Sequence, residues 1–468
     1  MDRRELLQLG ALFLNPLLEW PVAAASRPKH VIVAGAGLAG LTCAYELWKR
    51  GHDVSVLEAS SHTGGHVHTL REGLPDGLYA DVGAEHFTKP GYDICWKYFE
   101  ELRIDVLPYP HRENVLRLVD GRMLPEKEAF ALELAKWARE GFTSQEIRYL
   151  REQPGRDFLH LYFDRYIDKI HDEYRPLGVG LDHLDELSVT QLLKDQGASA
   201  AAIRQFGADE SALHAIWKLA ILGLRKTDEN PHALFRLKGG NQSLPDALAQ
   251  KLGARIRTGS PITAIRHNSE SVEVAYNTSA GSKSLKGDYL VCCMNAVVLR
   301  NIQVTPEWPE PKRYAIVNVP YTVETRPVLV AKTKFWQTDG YSGNMEFGSR
   351  LLGPLWPMAQ DVPTERGLLI GTSQAGITAK TALDLFKKYY PGRPTIESSQ
   401  VVDWSRDPWA MTCEARTYRP GYLRRMWPAV IAPVGRVHFA GAYCDNQSWG
   451  MEAATRSAVR TARAIHEA

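Results

Sequence analysis

Hydrophobic and polar positions near the N-terminus follow the order of a strand, a helix and a second strand. Residues 30–35, His-Val-Ile-Val-Ala-Gly, form a short apolar run that predicts a buried strand. Apolar residues then recur at helical spacing through residues 41–50, and Gly51 ends the predicted helix. Residues 53–57 predict a second buried strand. This order is typical of the first unit of a Rossmann-like, doubly wound α/β domain.

The remainder of the chain divides into a helical stretch and a stretch of short strands. Residues 96–235 are dominated by helical spacing of apolar positions, whereas residues 301–400 carry short strand-like runs and one helix. The helical patterns cover residues 126–141, 156–174, 211–225 and 378–390. Residues 434–441 predict a strand that runs into a turn, and a helix follows to residue 466.

Composition and charge exclude several classes of protein. The chain of 468 residues is long enough for two or three domains, and its 44% hydrophobic content is ordinary for a globular protein. The 56 Lys and Arg residues nearly balance the 54 Asp and Glu residues, so the net charge of +2 gives no field for nucleic acid. Six cysteines without a CxxC pair predict neither a zinc module nor a disulfide framework.

The first 26 residues predict an export signal. Arg3 and Arg4 begin a segment that resembles a twin-arginine leader, an apolar run follows at residues 9–14, and three alanines stand at residues 23–25. The apolar run is too short to cross a bilayer, which requires roughly 20 apolar residues. We therefore expect a periplasmic or secreted protein without a transmembrane segment. The alternative is an N-terminal helix of a cytoplasmic protein.

The glycines of residues 35–40, Gly-Ala-Gly-Leu-Ala-Gly, join the first strand to the helix and match the pattern GxGxxG. Gly35 suits the tight turn, Gly37 lets the backbone approach a pyrophosphate, and Gly40 lets the helix pack on the strand. The helix N-terminus offers unpaired N–H groups to that anion. Glu58 follows the second strand, where a carboxylate accepts hydrogen bonds from ribose hydroxyls. Together these features predict a dinucleotide site for NAD or FAD.

Three histidines surround a glycine pair in residues 62–68, His-Thr-Gly-Gly-His-Val-His. Such a loop fits either a metal site or a cofactor cradle, and no nearby cysteine or carboxylate completes a metal shell. Here the chain resembles the flavin-containing amine oxidase family, in which an Arg-x-Gly-Gly-Arg loop wraps FAD. The resemblance implies that histidines replace those arginines. Because histidine has a reference pKa near 6.5, we expect phosphate binding through His62 and His66 to weaken as pH rises through neutrality.

The resemblance covers most of the chain after the leader and implies its architecture. It implies a mixed α/β fold with a Rossmann-like FAD-binding domain, a mixed-sheet substrate domain and an inserted helical block. The FAD-binding domain would comprise residues 27–95, 236–300 and 428–468. The helical part of the substrate domain would span residues 96–235, and its sheet part residues 301–427.

Further motifs of that family imply other contacts with FAD. Residues 81–86, Asp-Val-Gly-Ala-Glu-His, resemble a flavin-facing turn, and Pro261-Ile262 stand where a backbone group meets adenine. Relatives carry Phe-Ala-Gly-Glu before the C-terminal helix, whereas this chain has Ala442 in place of the glutamate. The cofactor-binding residues implied by the resemblance are Gly35, Gly37, Ala39, Gly40, Glu58, Ala59, Gly64, Gly65, His66, Gly83, Ala84, Glu85, Ile262, Trp404, Cys413, Gly441, Ala442, Gly450 and Met451.

The reacting end of the site departs from the family pattern. Many relatives carry a lysine that holds a water near the flavin, nine residues before a Phe-Trp pair, and this position is Arg326. Cys413 stands where monoamine oxidases attach the flavin covalently. The resemblance therefore leaves two alternatives for Cys413: a thioether bond to FAD, or a free thiol beside FAD that is bound noncovalently. Glu414 falls on one of the two aromatic walls of those enzymes, and Trp449 lies beside the other.

These departures make the predicted site more ionisable than a simple amine cage. The candidate catalytic residues are Arg326, Glu414, His86 and Trp449. Arg326 or His86 would bind a substrate carboxylate, and Glu414 would bind the substrate ammonium, which suits a zwitterion such as an amino acid. The alternative is that each residue is an ordinary structural group.

The resemblance implies an FAD-dependent oxidoreductase with a small-molecule substrate. The expected reaction removes hydride from the carbon next to nitrogen of an amine or L-amino acid, which gives an imine and, with oxygen or another acceptor, reoxidised flavin and hydrogen peroxide. One alternative is a flavin-dependent desaturase or dehydrogenase acting on C–C bonds, because related enzymes of that kind also lack the lysine. Another is an FAD-stabilised binding protein. A homodimer is one expected assembly.

Overall fold

A five-stranded parallel sheet forms the base of the fold. The computed structural model describes residues 27–468 except residues 110–112, 228–232, 350, 391, 393, 416, 448 and 449, so the proposed leader and Trp449 lie outside the described residues. All neighbouring strands of this sheet pair in parallel. Its strands, in spatial order, are Ile256–Arg257, Asp53–Leu57, His30–Ala34, Tyr289–Cys292 and Val437–Phe439.

Alternate residues of the strand His30–Ala34 enter two different hydrophobic cores. Val31 and Val33 pack in the core that contains helix Leu38–Lys49. Ile32 and Ala34 pack in a core on the opposite face of the sheet. Parallel strands are buried on both faces because their crossover connections cover them. The sheet therefore has the doubly wound form that the sequence predicted.

Three smaller sheets flank the parallel sheet. A four-stranded sheet contains Gly281–Gly287, Val272–Thr278, Ile262–His267 and Gln303–Thr305 in spatial order. A three-stranded antiparallel sheet contains Phe87–Thr88, Leu234–Leu237 and Val106–Pro108. Thr69–Leu70 and Ala80–Asp81 form a two-stranded antiparallel sheet.

An eight-stranded mixed sheet carries the long strand Glu324–Ala331 near one side. This strand pairs with Gly367–Gly371, Ser373–Gln374 and Ile396–Asp403, and its residues from Thr325 onward are buried. The sheet continues through Leu355–Met358, Met345–Glu346, Leu116–Val119 and Arg122–Pro125. The hairpin at residues 116–125 thus pairs with strands from residues 345–371, although its sequence lies within the predicted helical block.

Helices cover the sheets and form a block between residues 126 and 224. Within the described residues, no helix combines the length and apolar character needed to cross a membrane. Short 3-10 helices lie at Asp182–Glu186, Gly253–Arg255, Trp404–Arg406 and Ala442–Cys444. The described α-helices are Leu38–Lys49, Asp93–Leu102, Glu126–Glu140, Ser144–Glu152, His160–Ile167, Val189–Asp195, Ala200–Phe206, Ala212–Leu224, Ser243–Leu252, Ala296–Leu299, Glu310–Asn318, Phe335–Thr338, Ala379–Tyr389, Leu423–Met426 and Gly450–Glu467.

One predicted helix is much shorter than its sequence pattern. The pattern at residues 156–174 predicts a single helix, but only His160–Ile167 is helical. The Asp172 carboxylate accepts a hydrogen bond from the Tyr174 amide at 2.9 Å, and the Asp172 carbonyl accepts one from the Arg175 amide at 3.0 Å. Aspartate side chains compete in this way with helical hydrogen bonds and favour turns. The chain therefore turns where the apolar spacing alone predicts helix.

Candidate cofactor and active site

A cleft opens at the carboxyl ends of the parallel strands. Gly35, Glu58, Cys293 and Gly441 lie just beyond four strand ends, and all four residues line the cleft. The cleft contains about 1610 Å³ of empty space, part of which is open to solvent. Doubly wound sheets bind ligands at this edge because the connections leave a crevice there. This space is referred to below as the cofactor cleft.

The three glycines of the turn at residues 35–40 serve different purposes. Gly35 has a φ of +107°, a conformation that residues with a Cβ rarely adopt. A Cβ added to Gly40 would lie 1.9 Å from the Gly35 carbonyl oxygen, so this position requires glycine for helix packing. Gly37 has an extended backbone, and a Cβ there would come no closer than 3.9 Å to the Gly65 Cα. The protein tolerates a side chain at Gly37, but the cofactor cleft would be narrowed.

The start of helix Leu38–Lys49 and the Glu58 carboxylate meet at this turn. The helix has no side-chain cap and no acidic residue in its first turn, so its positive end is available to an anion. Glu58 Oε2 accepts a hydrogen bond from the Ala36 amide at 2.6 Å, and Oε1 accepts one from the Ser60 amide at 2.8 Å. Glu58 therefore fixes the glycine turn to the end of the second strand while it lines the cleft.

The histidine loop packs between the glycine turn and the segment around Gly83. The Gly64 amide donates to the Ala36 carbonyl at 2.9 Å, and the Ala84 amide donates to the His66 carbonyl at 3.0 Å. A Cβ added to Gly83 would lie 1.7 Å from the His66 carbonyl oxygen. Only glycine at residue 83 therefore permits these two cleft-lining segments to lie this close.

His66 is a neutral group of the cleft wall rather than a cation. Its ring meets Trp404 edge-on with a centroid separation of 4.4 Å, and among the described residues its Nε2 has no hydrogen-bond partner. Burial lowers the pKa of His66 below its usual 6.5. This direction favours the uncharged ring and argues against a His66 charge that is lost near neutral pH, while the effect of pH on FAD binding stays a prediction. His62 is exposed, lines the cleft and stacks on His68 at 5.6 Å.

The positions of ionisable side chains bear on the interpretation of the histidine loop as a metal site. Within the described residues, no three or more His, Cys, Asp or Glu side chains are grouped so that they could hold a metal ion. The loop instead contributes Gly64, Gly65 and His66 to the wall of the cofactor cleft.

Arg326 places a buried guanidinium in the cofactor cleft. Its Nη2 lies 3.4 Å from the Gly83 carbonyl oxygen and 3.6 Å from Glu324 Oε2. The buried Nε and Nη1 atoms have no hydrogen-bond partner among the described residues. Burial opposes the charge, but the Glu85 carboxylate and other acidic neighbours raise the pKa of Arg326. The side chain is therefore a buried cation with two unused donors, which is costly unless an acceptor binds them.

The segment that carries Cys413 and Glu414 forms the neighbouring wall. The Cys413 amide donates to the Thr322 carbonyl at 2.8 Å, and the Thr322 amide donates to the Glu414 carbonyl at 2.8 Å. These bonds hold both residues beside the start of the strand that carries Arg326. Trp404 is fixed by a hydrogen bond from its Nε1 to the Val82 carbonyl at 2.8 Å. Both the Cys413 thiol and the exposed Glu414 side chain belong to residues that line the cleft.

Most of the residues predicted to contact FAD line the cofactor cleft, and two lie elsewhere. Gly40 supports helix packing, and Glu85 lines a smaller cavity beside Asn344 and Trp356. The predicted residues that line the cleft are Gly35, Gly37, Ala39, Glu58, Ala59, Gly64, Gly65, His66, Gly83, Ala84, Ile262, Trp404, Cys413, Gly441, Ala442, Gly450 and Met451.

Two of the four candidate catalytic residues line the cofactor cleft in the structure. Arg326 and Glu414 line the cofactor cleft. His86 does not line it, and its Nδ1 lies 3.2 Å from Glu85 Oε1. The His86 imidazole thus contacts the carboxylate of its neighbour Glu85. This contact argues against the expectation that His86 binds the substrate carboxylate. Trp449 lies outside the described residues.

Several residues of the cleft wall were not found from the sequence. Asn295 follows the strand Tyr289–Cys292 and donates through Nδ2 to the Ala410 carbonyl at 2.6 Å. The Tyr321 hydroxyl accepts a hydrogen bond from the Ala296 amide at 3.0 Å. The position of Asn295 just after a buried strand is a signal that sequence reasoning can use, whereas Tyr321 carries no comparable signal. Both residues join the wall of the cleft.

The cofactor cleft fits the FAD that the resemblance implies. The uncapped helix N-terminus at Gly37 suits a pyrophosphate, and the Glu58 carboxylate suits ribose hydroxyls. Gly65 lines the cleft without a side chain, which leaves room for a flat ring system. The unpartnered nitrogens of His66 and Arg326 are buried polar atoms that an oxygen-rich or nitrogen-rich ligand can satisfy.

Comparison with known sequences gives one family for the chain. A sequence profile described as "Flavin containing amine oxidoreductase" matches residues 38–466. The chain is 25% identical to an L-amino-acid oxidase of Notechis scutatus scutatus, with 100% of this chain and 91% of the relative covered. It is 26% identical to an L-amino-acid oxidase of Demansia vestigiata, with 95% of this chain and 88% of the relative covered.

Comparison with solved structures agrees with the fold. Cyclohexylamine oxidase from Brevibacterium oxydans IH-35A superposes with a TM-score of 0.74 at 21% identity, covering 94% of this chain and 99% of that chain. Putrescine oxidase bound to putrescine superposes with a TM-score of 0.75 at 19% identity, covering 94% and 100%. At this level of identity, the similarity establishes the fold.

Proposed function

Because the chain belongs to the flavin-containing amine oxidoreductase family, we propose that it oxidises L-amino acids and holds their carboxylate at Arg326. The protein is an FAD-dependent oxidoreductase that acts at the carbon next to nitrogen of an amine or amino acid. The observation that carries the narrower proposal is the buried Arg326 guanidinium, whose Nε and Nη1 lack partners among the described residues.

The chemistry divides between the cofactor and the protein. FAD, when bound, accepts the hydride of the substrate C–H bond and later passes the electrons to oxygen. The glycine turn and Glu58 would hold the dinucleotide part, and the histidine loop with Gly83 would form the wall beside the ring system. Held in this way, the cofactor would have a fixed position relative to a substrate in the cleft.

Arg326 suits a carboxylate better than it suits the water-holding role of a lysine. A guanidinium keeps its charge at working pH and presents several donors in a fixed plane, which matches the two oxygens of a carboxylate. Because the acidic neighbours raise the pKa of Arg326, the charge persists despite burial. An amine without a carboxylate would leave the two donors unsatisfied in the cleft.

Glu414 supplies the complementary charge for the substrate ammonium. Its backbone is held by hydrogen bonds to Thr322, so its side chain starts from a fixed point on the cleft wall. After Glu85, Cys413 and Glu324, the Glu414 carboxylate also raises the pKa of Arg326, which supports placing both groups at one site. An opposed guanidinium and carboxylate select a zwitterion over a simple cation.

The proposal is tested by anaerobic reduction of the purified yellow protein with matched pairs of compounds. Each pair consists of an L-amino acid and the amine formed by its decarboxylation, such as L-phenylalanine and phenethylamine. The amino acid should bleach the flavin on the order of 100-fold faster, because an unsatisfied buried charge costs about 3 kcal/mol. Equal rates for both members of every pair would contradict a carboxylate site at Arg326.

Two methionine variants separate binding at the cleft from general damage to the fold. Arg326→Met should lose the preference for amino acids and approach the rate with the paired amine. Arg236→Met is the matched control, because Arg236 is also buried but pairs with Asp361 at 2.7 Å and does not line the cleft. The control should keep the preference. If both variants lose it equally, the preference does not come from Arg326.

Export and assembly are further proposals that rest on the sequence. The arginine pair and apolar run in residues 1–26 support export as a folded, cofactor-loaded protein. Replacing Arg3 and Arg4 with lysine should retain the protein in the cytoplasm, as measured by cell fractionation. A homodimer is proposed for the mature protein, and a monomer mass in light scattering would refute it.

A further inference from the structure

Among the described residues of the segment 441–451, the two ends line the cofactor cleft and residues 445–447 do not. Gly441, Ala442 and Tyr443 line the cleft at one end, and Gly450 and Met451 line it at the other. Residues 445–447 are buried and contact other parts of the fold. The contacts made by residues 445–447 therefore bear directly on the position of the adjoining cleft residues 441–443.

Lys218 binds the backbone of the middle of this segment. Its Nζ donates hydrogen bonds to the carbonyl oxygens of Asn446 and Gln447, both at 2.7 Å. Lys218 lies in helix Ala212–Leu224, which is otherwise strongly apolar, and its side chain is 7% exposed. An amine buried in such surroundings is costly unless it is hydrogen-bonded. The two hydrogen bonds to residues 446 and 447 supply the acceptors that this buried amine requires.

Arg225 binds the side chains of the same two residues. Its Nη2 donates to Asn446 Oδ1 and its Nη1 donates to Gln447 Oε1, both at 2.6 Å. Its Nε donates to Glu173 Oε2 at 2.6 Å, which fixes the guanidinium in the helical block. One helix and the residue that follows it thus contact residues 446 and 447 through four hydrogen bonds.

The residue before this pair is held by charge. Asp445 is 2% exposed, and its carboxylate lies 3.2 Å from Arg460 Nη1 and 3.6 Å from Arg225 Nη2. The Tyr174 hydroxyl donates to Asp445 Oδ2 at 2.8 Å. The middle of the segment is therefore fixed at three consecutive residues by groups from the helical block and from the C-terminal helix.

The end of the segment has little space in which to absorb a displacement. Gly450 has a φ of +79°, and a Cβ there would lie 2.7 Å from the Tyr92 hydroxyl. Met451 follows in the first turn of helix Gly450–Glu467 and is buried. A shift of residues 446 and 447 would therefore be transmitted to the cleft wall, because packed elements move together.

We infer that Lys218 and Arg225 are positioning residues, which set the cofactor-cleft wall formed by residues 441–443, 450 and 451 from the side of the helical block. The inference rests on the proposed function insofar as the cleft holds FAD and the amino acid. Removing either donor leaves buried acceptors on residues 446 and 447, and the segment should shift to recover their hydrogen bonds. The helical block would thereby control the geometry of a site whose residues lie mainly outside it.

The test replaces Lys218 with methionine, which keeps most of the side-chain volume and removes the donors. Amide hydrogen exchange is measured on the protein stripped of FAD, in peptides that cover residues 441–451. Exchange there should become about tenfold faster, because the carbonyl groups of residues 446 and 447 lose the hydrogen bonds from Lys218 that hold the segment in place. In the FAD-loaded protein, the visible circular dichroism of the flavin should change, and the rate of anaerobic reduction should fall about tenfold.

Arg236→Met is the matched control. Arg236 is also a buried cation, and its Nη2 donates to Asp361 Oδ1 at 2.7 Å without lining the cleft. This variant should leave the exchange of residues 441–451, the flavin dichroism and the reduction rate within twofold of the parent. Arg225→Met is the second test variant and should show the same changes as those expected for Lys218→Met. It keeps the test available if Lys218→Met does not fold.

The outcomes separate the two proposals. Exchange and flavin dichroism that match the parent in Lys218→Met and Arg225→Met would overturn the positioning role. Equal effects in Arg236→Met would overturn it as well, because they would reflect the loss of any buried cation. If the parent is not reduced by any amino acid, the proposed function fails, whereas the exchange measurement still decides the role of Lys218.

Discussion

Alanine at Gly37 and alanine at Gly40 should damage the protein in different ways, although the two glycines share one turn. A Cβ at Gly40 would lie 1.9 Å from the Gly35 carbonyl oxygen and 3.0 Å from the Gly35 carbonyl carbon. Ordinary contact between such atoms requires more than 3 Å, so the helix would have to move by over 1 Å. Overpacking of this severity costs about 3 kcal/mol.

The same methyl group at Gly37 meets no protein atom at close range. The nearest atom is the Gly65 Cα at 3.9 Å, and the φ of −69° suits alanine. Such a change stabilises a protein by about 0.4–1 kcal/mol, because it restricts the unfolded chain. If the backbone at Gly37 contacts the pyrophosphate of FAD, the methyl group should weaken FAD binding at least 30-fold, which corresponds to about 2 kcal/mol.

Two measurements on protein stripped of FAD separate these effects. Urea unfolding gives the free energy of unfolding, which should fall in Gly40→Ala and remain level or rise in Gly37→Ala. Titration with FAD, followed by quenching of flavin fluorescence, gives the dissociation constant. If Gly37→Ala binds FAD within threefold of the parent, the pyrophosphate does not lie against this turn. If it unfolds as easily as Gly40→Ala, the distances that distinguish the two glycines are wrong.

Three further predictions concern charge and helix capping. Burial raises the pKa of Asp81 from 3.8 to about 6, so the folded protein retains a proton that the unfolded chain releases. This residue should therefore reduce the free energy of unfolding by about 2 kcal/mol between pH 4 and pH 7. Asp81→Asn should remove that decline in urea unfolding, and an unchanged pH profile would assign the decline to another group. Since burial lowers the pKa of His66, its ring should stay uncharged from about pH 6.5 to 8. The FAD affinity of His66→Gln should therefore depend on pH in the same way as the FAD affinity of the parent. Profiles that diverge would contradict a neutral ring. Thr143 caps helix Ser144–Glu152 by accepting a hydrogen bond from the Glu146 amide. Thr143→Ala should therefore lower the free energy of unfolding, measured in urea, by about 1 kcal/mol. An unchanged free energy of unfolding would mean that the cap is not formed in solution.

The sequence alone identified several strands and helices, because each of them is set by residues that lie close together along the chain. The predicted strand at residues 53–57 is observed with the same bounds, and the predicted strand at 30–35 is observed as His30–Ala34. Helix Ala212–Leu224 likewise lies within the pattern at residues 211–225. Periodicity and turn residues act over a few positions, so they are readable without knowledge of the fold. One exception is the pattern at residues 156–174, where the helix ends at Ile167 and the Asp172 side chain then makes a local turn.

The resemblance to the family was carried by short motifs, and these motifs also gave most of the cleft wall. The glycine turn and Glu58 line the cleft where the motif predicts, because the ends of parallel strands must meet at one edge. The motif alone did not distinguish the role of Gly40, which is packing, from that of Gly37, which lines the cleft. That distinction depends on the direction in which each missing side chain would point.

The ionisable groups of the site were decided by contacts between distant parts of the chain. Arg326 lies beside Gly83, which is 243 residues away in sequence, and His86 contacts Glu85 instead of lining the cleft. Lys218 meets residues 446 and 447 across more than 220 positions. The sequence determined which strands, helices and glycine turns form, because local sterics and hydrophobic spacing set them. Only the tertiary structure decided which charges are buried, paired or left with unused donors, because solvent exclusion depends on segments that are brought together by folding.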